Sequence, residues 1–304
     1  MLNSIVVTNY SNESITLELR NPEKSGFLVR RVTGLGPAKA DVNVTDLSTS
    51  DGGLYNSSRL QTRNIVFAIT FLPMPTIEET RRKSYQFFSI KRPVTLRFET
   101  DKRIATISGY VESNEIDIFS KEEGAQISII CPDPNFYSAE GSDSGSISFS
   151  GITANFEFPF SNESLEENLI EFGIIETSAE KTLWYEGDSE TGIILTLHAI
   201  GTVENPIIFN VGTREQLRID TAKLSALTGA SFGASDDIII STIKGQKSIQ
   251  LLRRGVYTNI LNCLDKNADW FQLVRGDNVF AYSADSGAAN LQFRIDYPVI
   301  YEGI

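Results

Sequence analysis

The stretch Pro75-Thr76-Ile77-Glu78-Glu79-Thr80-Arg81-Arg82-Lys83-Ser84-Tyr85-Gln86-Phe87-Phe88 reads as an amphipathic helix, and everything after it as far as Cys131-Pro132-Asp133-Pro134 reads as strand. Thr76 can cap the first turn, and Glu79, three residues on, can reach back to it in a capping box. Pro75 limits alternative starts. Glu78 with Arg82 and Glu79 with Lys83 are i,i+4 pairs in the favourable order, each worth roughly 0.2–0.5 kcal/mol. Ile77, Thr80, Ser84, Tyr85 and Phe88 share the less polar face. The segment has the marks of a scaffold and none of an active site.

After Pro93 the period changes from helical to twofold. Val94, Leu96 and Phe98 alternate with polar residues, followed by Ile104, Thr106 and Ser108, then Ile116 and Ile118, then Ile127 and Ile129. Glu122-Glu123-Gly124 has the polar, short character of a hairpin loop. Pro132 and Pro134 cannot donate to a central ladder, so the sheet should stop there.

Upstream, Ile5 to Thr8, Ile15-Leu17-Leu19, Phe27 to Val29 and Val42-Val44 read as strands. Ile65-Phe67-Ile69-Phe71 is the strongest alternation in the chain. Asp51-Gly52-Gly53 is a turn signal, because glycine accepts positive φ without penalty, and it predicts a hairpin, long if need be, within residues 40–70.

At 304 residues, a prior of about 150 per domain suggests two domains. The composition, 41% hydrophobic and 22% charged, is that of a folded globule and excludes a disordered tail. Ser-Ala-Glu-Gly-Ser-Asp-Ser-Gly at 138–145 has no periodicity and the make-up of a linker, dividing the chain into 1–137 and 146–304. Downstream the pattern returns to short strands: Ile147-Phe149, Phe156-Phe158-Phe160, Ile193 to Leu197, Ile207 to Asn210, Leu217-Ile219, Ile238-Ile240-Thr242, Ile249-Leu251 and Leu291-Phe293-Ile295-Tyr297. Lys244 to Ser248 reads as a hairpin turn. Val279 to Ser283 and Asn290 to Pro298, around Asp285-Ser286-Gly287, read as a closing hairpin. Strands this frequent without a helical period predict an antiparallel sandwich or jelly roll. The fold class is therefore mainly β, with one amphipathic helix in the first domain.

Charge and chemistry narrow the function. The formal net charge is −12, and residues 161–190 hold nine acids against the single Lys181. Such a balance offers no footprint for gripping nucleic acid, which needs Lys and Arg to neutralise phosphates. Arg81-Arg82-Lys83 reads as a solvated helix face. Met1-Leu2-Asn3-Ser4 lacks a basic leader and no apolar run approaches the roughly 18 residues of a membrane span, so synthesis in the cytoplasm without membrane insertion is expected. Cys131 and Cys263 are in no metal-ligand spacing and read as buried free thiols. His198, the single histidine, reads as a strand-end packing residue, and one histidine cannot build the usual zinc sites. Glycine-rich nucleotide patterns are absent. Calcium at Asp143 or Asp236-Asp237 has no ligand loop behind it. No catalytic residue, metal or cofactor is expected. Acid pairs for glycoside cleavage are too common here to inform. Trp184-Tyr185 and Trp270-Phe271 could stack on sugar rings, with core packing the first expectation for each.

Read in order, Gly34-Leu35-Gly36-Pro37, Asp51-Gly52-Gly53-Leu54-Tyr55 with Arg63-Asn64-Ile65, Arg81-Arg82-Lys83-Ser84-Tyr85, Gly109-Tyr110-Val111-Glu112 and Gln126 to Pro134 resemble the distal tail proteins of long-tailed bacteriophages. Glu204-Asn205-Pro206, Lys244-Gly245 with Lys247-Ser248-Ile249, Trp270-Phe271 and Gly276-Asp277-Asn278 look like that family's second module. The resemblance covers nearly the whole chain. It implies a ring-forming adaptor domain followed by a galectin-like β-sandwich, in a structural virion protein whose six copies join the tail tube to the tail-tip hub or baseplate. Implied partners are further copies of the chain, the tail tube protein, the tail-associated hub protein and a receptor-binding protein. Asp51, Gly52, Gly53, Tyr55 and Arg63 are the expected ring-interface hairpin. Six copies at −12 each would carry −72, repelling a genome passing through the channel. A carbohydrate-binding adhesion module contacting glycan through Trp184 and Trp270 is the alternative, and a glycoside hydrolase stands behind it.

Overall fold

The computed structural model describes residues 1–47, 51–139, 145–148, 150–153, 174–177 and 180–304. Two compact units emerge: residues 1–143 with 300–304, and residues 144–299. Ile300–Ile304, read from sequence as part of the second domain, thus belongs to the first unit.

In unit 1 the strands are β1 (Leu2–Thr8), β2 (Ser14–Glu18), β3 (Phe27–Thr33), β4 (Ala40–Asp46), β5 (Gly53–Leu60), β6 (Arg63–Phe71), then helix α1 (Ile77–Phe87), β7 (Pro93–Thr100), β8 (Ile104–Asp117), β9 (Gly124–Cys131) and β10 (Phe136–Ser138). Seven of them form one antiparallel sheet in the order β2-β1-β7-β8-β9-β6-β3, and β10 pairs with β8. Alternation selects the inner face: Ile5, Val7, Ile65, Phe67, Leu96, Phe98, Ile127 and Ile129 are fully buried. On β8 the expected triplet Ile104, Thr106 and Ser108 is the outer face. Ala105, Ile107 and Val111 are buried instead. Small inner residues concealed this: a Cβ on Gly109 would stand 2.8 Å from Cys131 Sγ, so only glycine fits there.

Thr76 caps α1, its Oγ1 accepting from Glu79 N–H at 3.2 Å. The buried face of the helix is polar and small, Thr80 and Ser84, followed by Phe88, which meets Phe67 at 6.1 Å between ring centroids. Ile77 and Tyr85, expected on the packed side, are exposed. Close approach explains the difference, since a Cβ on Gly26 would touch Thr80 at 3.0 Å. Thr80 and Ser84 satisfy their hydroxyls on the carbonyls of Leu72 (2.8 Å) and Arg81 (2.7 Å). Arg81 reaches Glu123 in the β8–β9 turn at 3.2 Å rather than an acid on its own helix.

Unit 2 comprises β11 (Gly145–Ser148), β12 (Ser150–Thr153), β13 (Ile174–Thr177), β14 (Glu180–Tyr185), β15 (Thr191–Gly192), β16 (Ile194–Ala199), β17 (Ile207–Asn210), β18 (Gln216–Arg218), helix α2 (Thr221–Thr228), β19 (Asp237–Ser241), β20 (Ser248–Arg253), β21 (Val256–Asn259), β22 (Gln272–Leu273), β23 (Gly276–Ser283) and β24 (Leu291–Tyr297). A sheet β11-β24-β16-β19-β20-β21 faces a sheet β14-β23-β17-β18, with rings meeting across the gap at Tyr185–Tyr297 (5.9 Å) and Tyr282–Phe293 (4.7 Å). This is an antiparallel β-sandwich. The predicted closing hairpin is not one: β23 and β24 lie in different sheets, joined by an arch. Helix α2 was not foreseen. It is eight residues long, capped by Asp220 and ended by Gly229 at φ 77°. Phe149, the Phe156–Phe160 run and Asp143 lie outside the described residues.

Candidate assembly surface

Among the described residues, strands β4 and β5 pair only with each other, as a two-stranded hairpin separate from the large sheet. Every residue of β5, and every residue of β4 except Asp41, is exposed. Register sorts the side chains into two faces, because directly opposed residues share a face. Val44 opposes Tyr55, Val42 opposes Ser58 and Ala40 opposes Leu60. One face is therefore apolar, with Val42 58%, Val44 47%, Tyr55 60% and Leu60 51% exposed. The other is polar: Asp41 takes Arg59 at 3.2 Å and is also bonded by Gln61, and Asn56 donates to Thr45 at 2.7 Å. Leu54, 58% exposed, adds apolar surface near the tip. Asp51 and Gly52 lead into β5, with Gly52 at φ 88° in open space.

An isolated two-stranded hairpin is marginal in water, so this one depends on its neck. Gln61 N–H donates to Lys39 O at 2.8 Å, closing the two strands at their base. Gly34, at φ 84°, lies so close to β6 that a Cβ would stand 2.1 Å from Asn64 O. Arg63, expected among the ring-contacting residues, is instead 4% exposed and turned into unit 1. Its Nε donates to Pro134 O (2.6 Å), its Nη1 to Gly34 O (2.7 Å) and to Gly36 O, and its Nη2 to Glu302 O (2.8 Å). The guanidinium also lies 4.4 Å from the Phe136 ring centroid. The remaining hairpin residues, Asp51, Gly52, Gly53 and Tyr55, are exposed.

The chain superposes on the SPP1 Dit protein, described as a paradigm of the hub adsorption apparatus in phages infecting Gram-positive bacteria, with a TM-score of 0.62 at 12% identity over 97% of this chain and 98% of that one. This chain has the Dit fold. Chains of the activated phage p2 baseplate with strontium and with calcium align at 10% identity with TM-scores of 0.42 and 0.43, over 96–97% of this chain and 97–98% of theirs. No protein-family profile and no curated protein sequence matches.

On this Dit fold the other candidate residues are scattered. Trp184 is 65% exposed on β14 opposite Asp277, against the expectation of core packing, while its neighbour Tyr185 is buried. Trp270 is half-buried beneath Lys247 Nζ at 5.1 Å. His198 is paired across strands with Asp237, Nδ1 to Oδ1 at 2.7 Å, so it is a polar link on the outer side of the sheet and not a packing residue. Asp236 is held by Arg253 at 2.6 Å. Cys131 is fully buried, and desolvation pushes its thiol up to about 11 despite the nearby Arg63 charge, leaving it unreactive. An open polar depression on unit 1 contains Glu18, Glu99 and Asp101. These acids are engaged by Lys24 (2.7 Å), Ser4 (2.7 Å) and Asn3 (2.9 Å) respectively. Among the described residues no helix is long and apolar enough to cross a membrane, and no three His, Cys, Asp or Glu residues are grouped to hold a metal ion.

Proposed function

We propose that this protein is a distal tail adaptor, a structural virion component whose copies, six to a ring, join the tail tube to the tail-tip hub or baseplate and offer a platform for receptor-binding proteins. The supporting observation is the hairpin of β4 and β5, whose apolar face of Val42, Val44, Tyr55 and Leu60 is exposed. Exposed apolar surface of this kind is characteristic of an interaction site. A surface used head-to-tail between identical copies closes into a ring when the rotation permits. Likeness to SPP1 Dit supports the same reading at the level of fold. The protein on this view acts by shape and repetition, in the tail tip of the particle, without catalysis. Electron microscopy of the purified chain, with mass photometry, tests it: rings are expected from the wild type, and monomers from Val44→Asp with Tyr55→Asp. Monomeric wild-type protein at all concentrations would count against the reading.

Exposed Trp184 favours a second activity in unit 2, contact with a surface glycan, because a free indole face can stack on a sugar ring. Cell-wall pull-down with Trp184→Ala separates this from a purely architectural unit 2.

A further inference from the structure

We infer that Arg63 and the segment Ile300–Ile304 form a latch that sets the direction of the hairpin, so that a copy becomes competent to assemble only once residues beyond unit 2 have been made and docked. The inference rests on reading the hairpin as the ring-forming surface.

Arg63 stands at the exit of the hairpin, as the first residue of β6, and two of its acceptors, Gly34 O and Gly36 O, stand at the entrance. One rigid, planar group therefore ties both sides of the neck. Its other two acceptors come from elsewhere: Pro134 O follows β9, and Glu302 O lies in the returning segment. A guanidinium has five donors and a permanent charge, and here it meets four backbone carbonyls and an aromatic face. Losing an acceptor would leave a charged donor buried, which is costly.

Ile300–Ile304 is built into the same neck. β25 (Ile300–Tyr301) pairs with β10 through Phe136–Tyr301 and Tyr137–Ile300. Arg103 lies 4.4 Å from the Tyr301 ring centroid. Ile304 N–H donates to Leu35 O at 3.0 Å, next to both hairpin-entry acceptors. Gly303 lies so close that a Cβ would stand 2.9 Å from Leu35 O and 3.3 Å from Gly36 Cα. The hairpin strands themselves are exposed and pair with no other described strand, so the neck sets where they point. Residues 300–304 follow unit 2 in the chain and are translated after it. An incomplete chain would thus expose its apolar hairpin without a fixed direction. The latch couples assembly to completion of the second unit.

Hydrogen–deuterium exchange and mass photometry on three proteins test this: wild type, Gly303→Ala, and a chain cut after Val299. The severe variant is expected to exchange about tenfold or more faster at residues 34–46 and 53–61, the effect of roughly one lost buried hydrogen bond, with β7 and β9 still protected. It should fail to form rings at concentrations where wild type does. Adding a synthetic peptide of residues 299–304 should restore both readouts, which general destabilisation would not allow. Gly303→Ala, a milder disturbance, should give an intermediate result and keeps the test valid if the shorter chain unfolds. Unchanged exchange at the neck in both variants would overturn the latch. Faster exchange with normal rings would overturn its role in assembly. A wild type that never assembles would instead defeat the ring reading, and the assembly role with it.

Discussion

Truncating Phe67 tests the packing of unit 1 most directly. It is fully buried on β6 and meets Phe88 at the end of α1, so Phe67→Ala is expected to cost about 3–5 kcal/mol, measured by urea unfolding. A loss under about 1 kcal/mol would mean that the site collapses around the missing ring. Asp236 tests unit 2. Burial alone would raise its carboxyl pKa, but the Arg253 guanidinium and the Gly233 N–H outweigh burial and hold it below the usual carboxylate value. A depressed folded value contributes stability that is present above the unfolded pKa and is lost as pH falls through the folded one. Unit 2 should therefore melt earlier as pH drops below about 4, and Asp236→Asn should flatten that acid-side fall. Both tryptophans of the chain, Trp184 and Trp270, lie in unit 2 and report it by fluorescence. Residues also set the limit of what was readable. Phe67 announced itself by strict alternation, whereas Ala105 and Gly109 line the inner face of β8 without an apolar signature.

Among the elements, the hairpin invites the sharpest change. Shortening Asp51-Gly52-Gly53 to two residues alters the tip while leaving the Arg63 neck and the large sheet untouched. The expected outcome is impaired ring assembly by electron microscopy with unchanged melting of both units. Normal rings would show the tip to be dispensable. Helix α1 was legible because its cap and polar run are local signals. Its buried face was not, because Thr80 and Ser84 are chosen by a close approach to Gly26 that depends on distant chain. Helix α2 escaped for a related reason: over eight residues it buries only Thr221 and Leu224, too little for a period to show. The arch between β23 and β24 resembled a hairpin because turn residues look alike whether the chain returns to the same sheet or crosses to the facing one.

For the whole molecule, assembly through the hairpin and surface contact through Trp184 make separable predictions. Trp184→Ala should leave the oligomeric mass unchanged by light scattering, since that residue is an exposed edge position in unit 2. Val44→Asp should lower it, since that residue is on the apolar hairpin face. Many strand positions among the described residues, the capped helix, the exposed turn and the mainly β class followed from residue order, because alternation, capping and turn chemistry act over a few neighbours; that Ile104–Ser108 and Ile116 lie on one continuous strand, β8, did not. The return of Ile300–Tyr301 to β10, the inward turn of Arg63 and the pairing of sheets in unit 2 depended on folding in three dimensions. Each joins residues far apart in sequence, and the energy that selects such contacts comes from burial and from satisfying buried donors, which no short window of sequence contains.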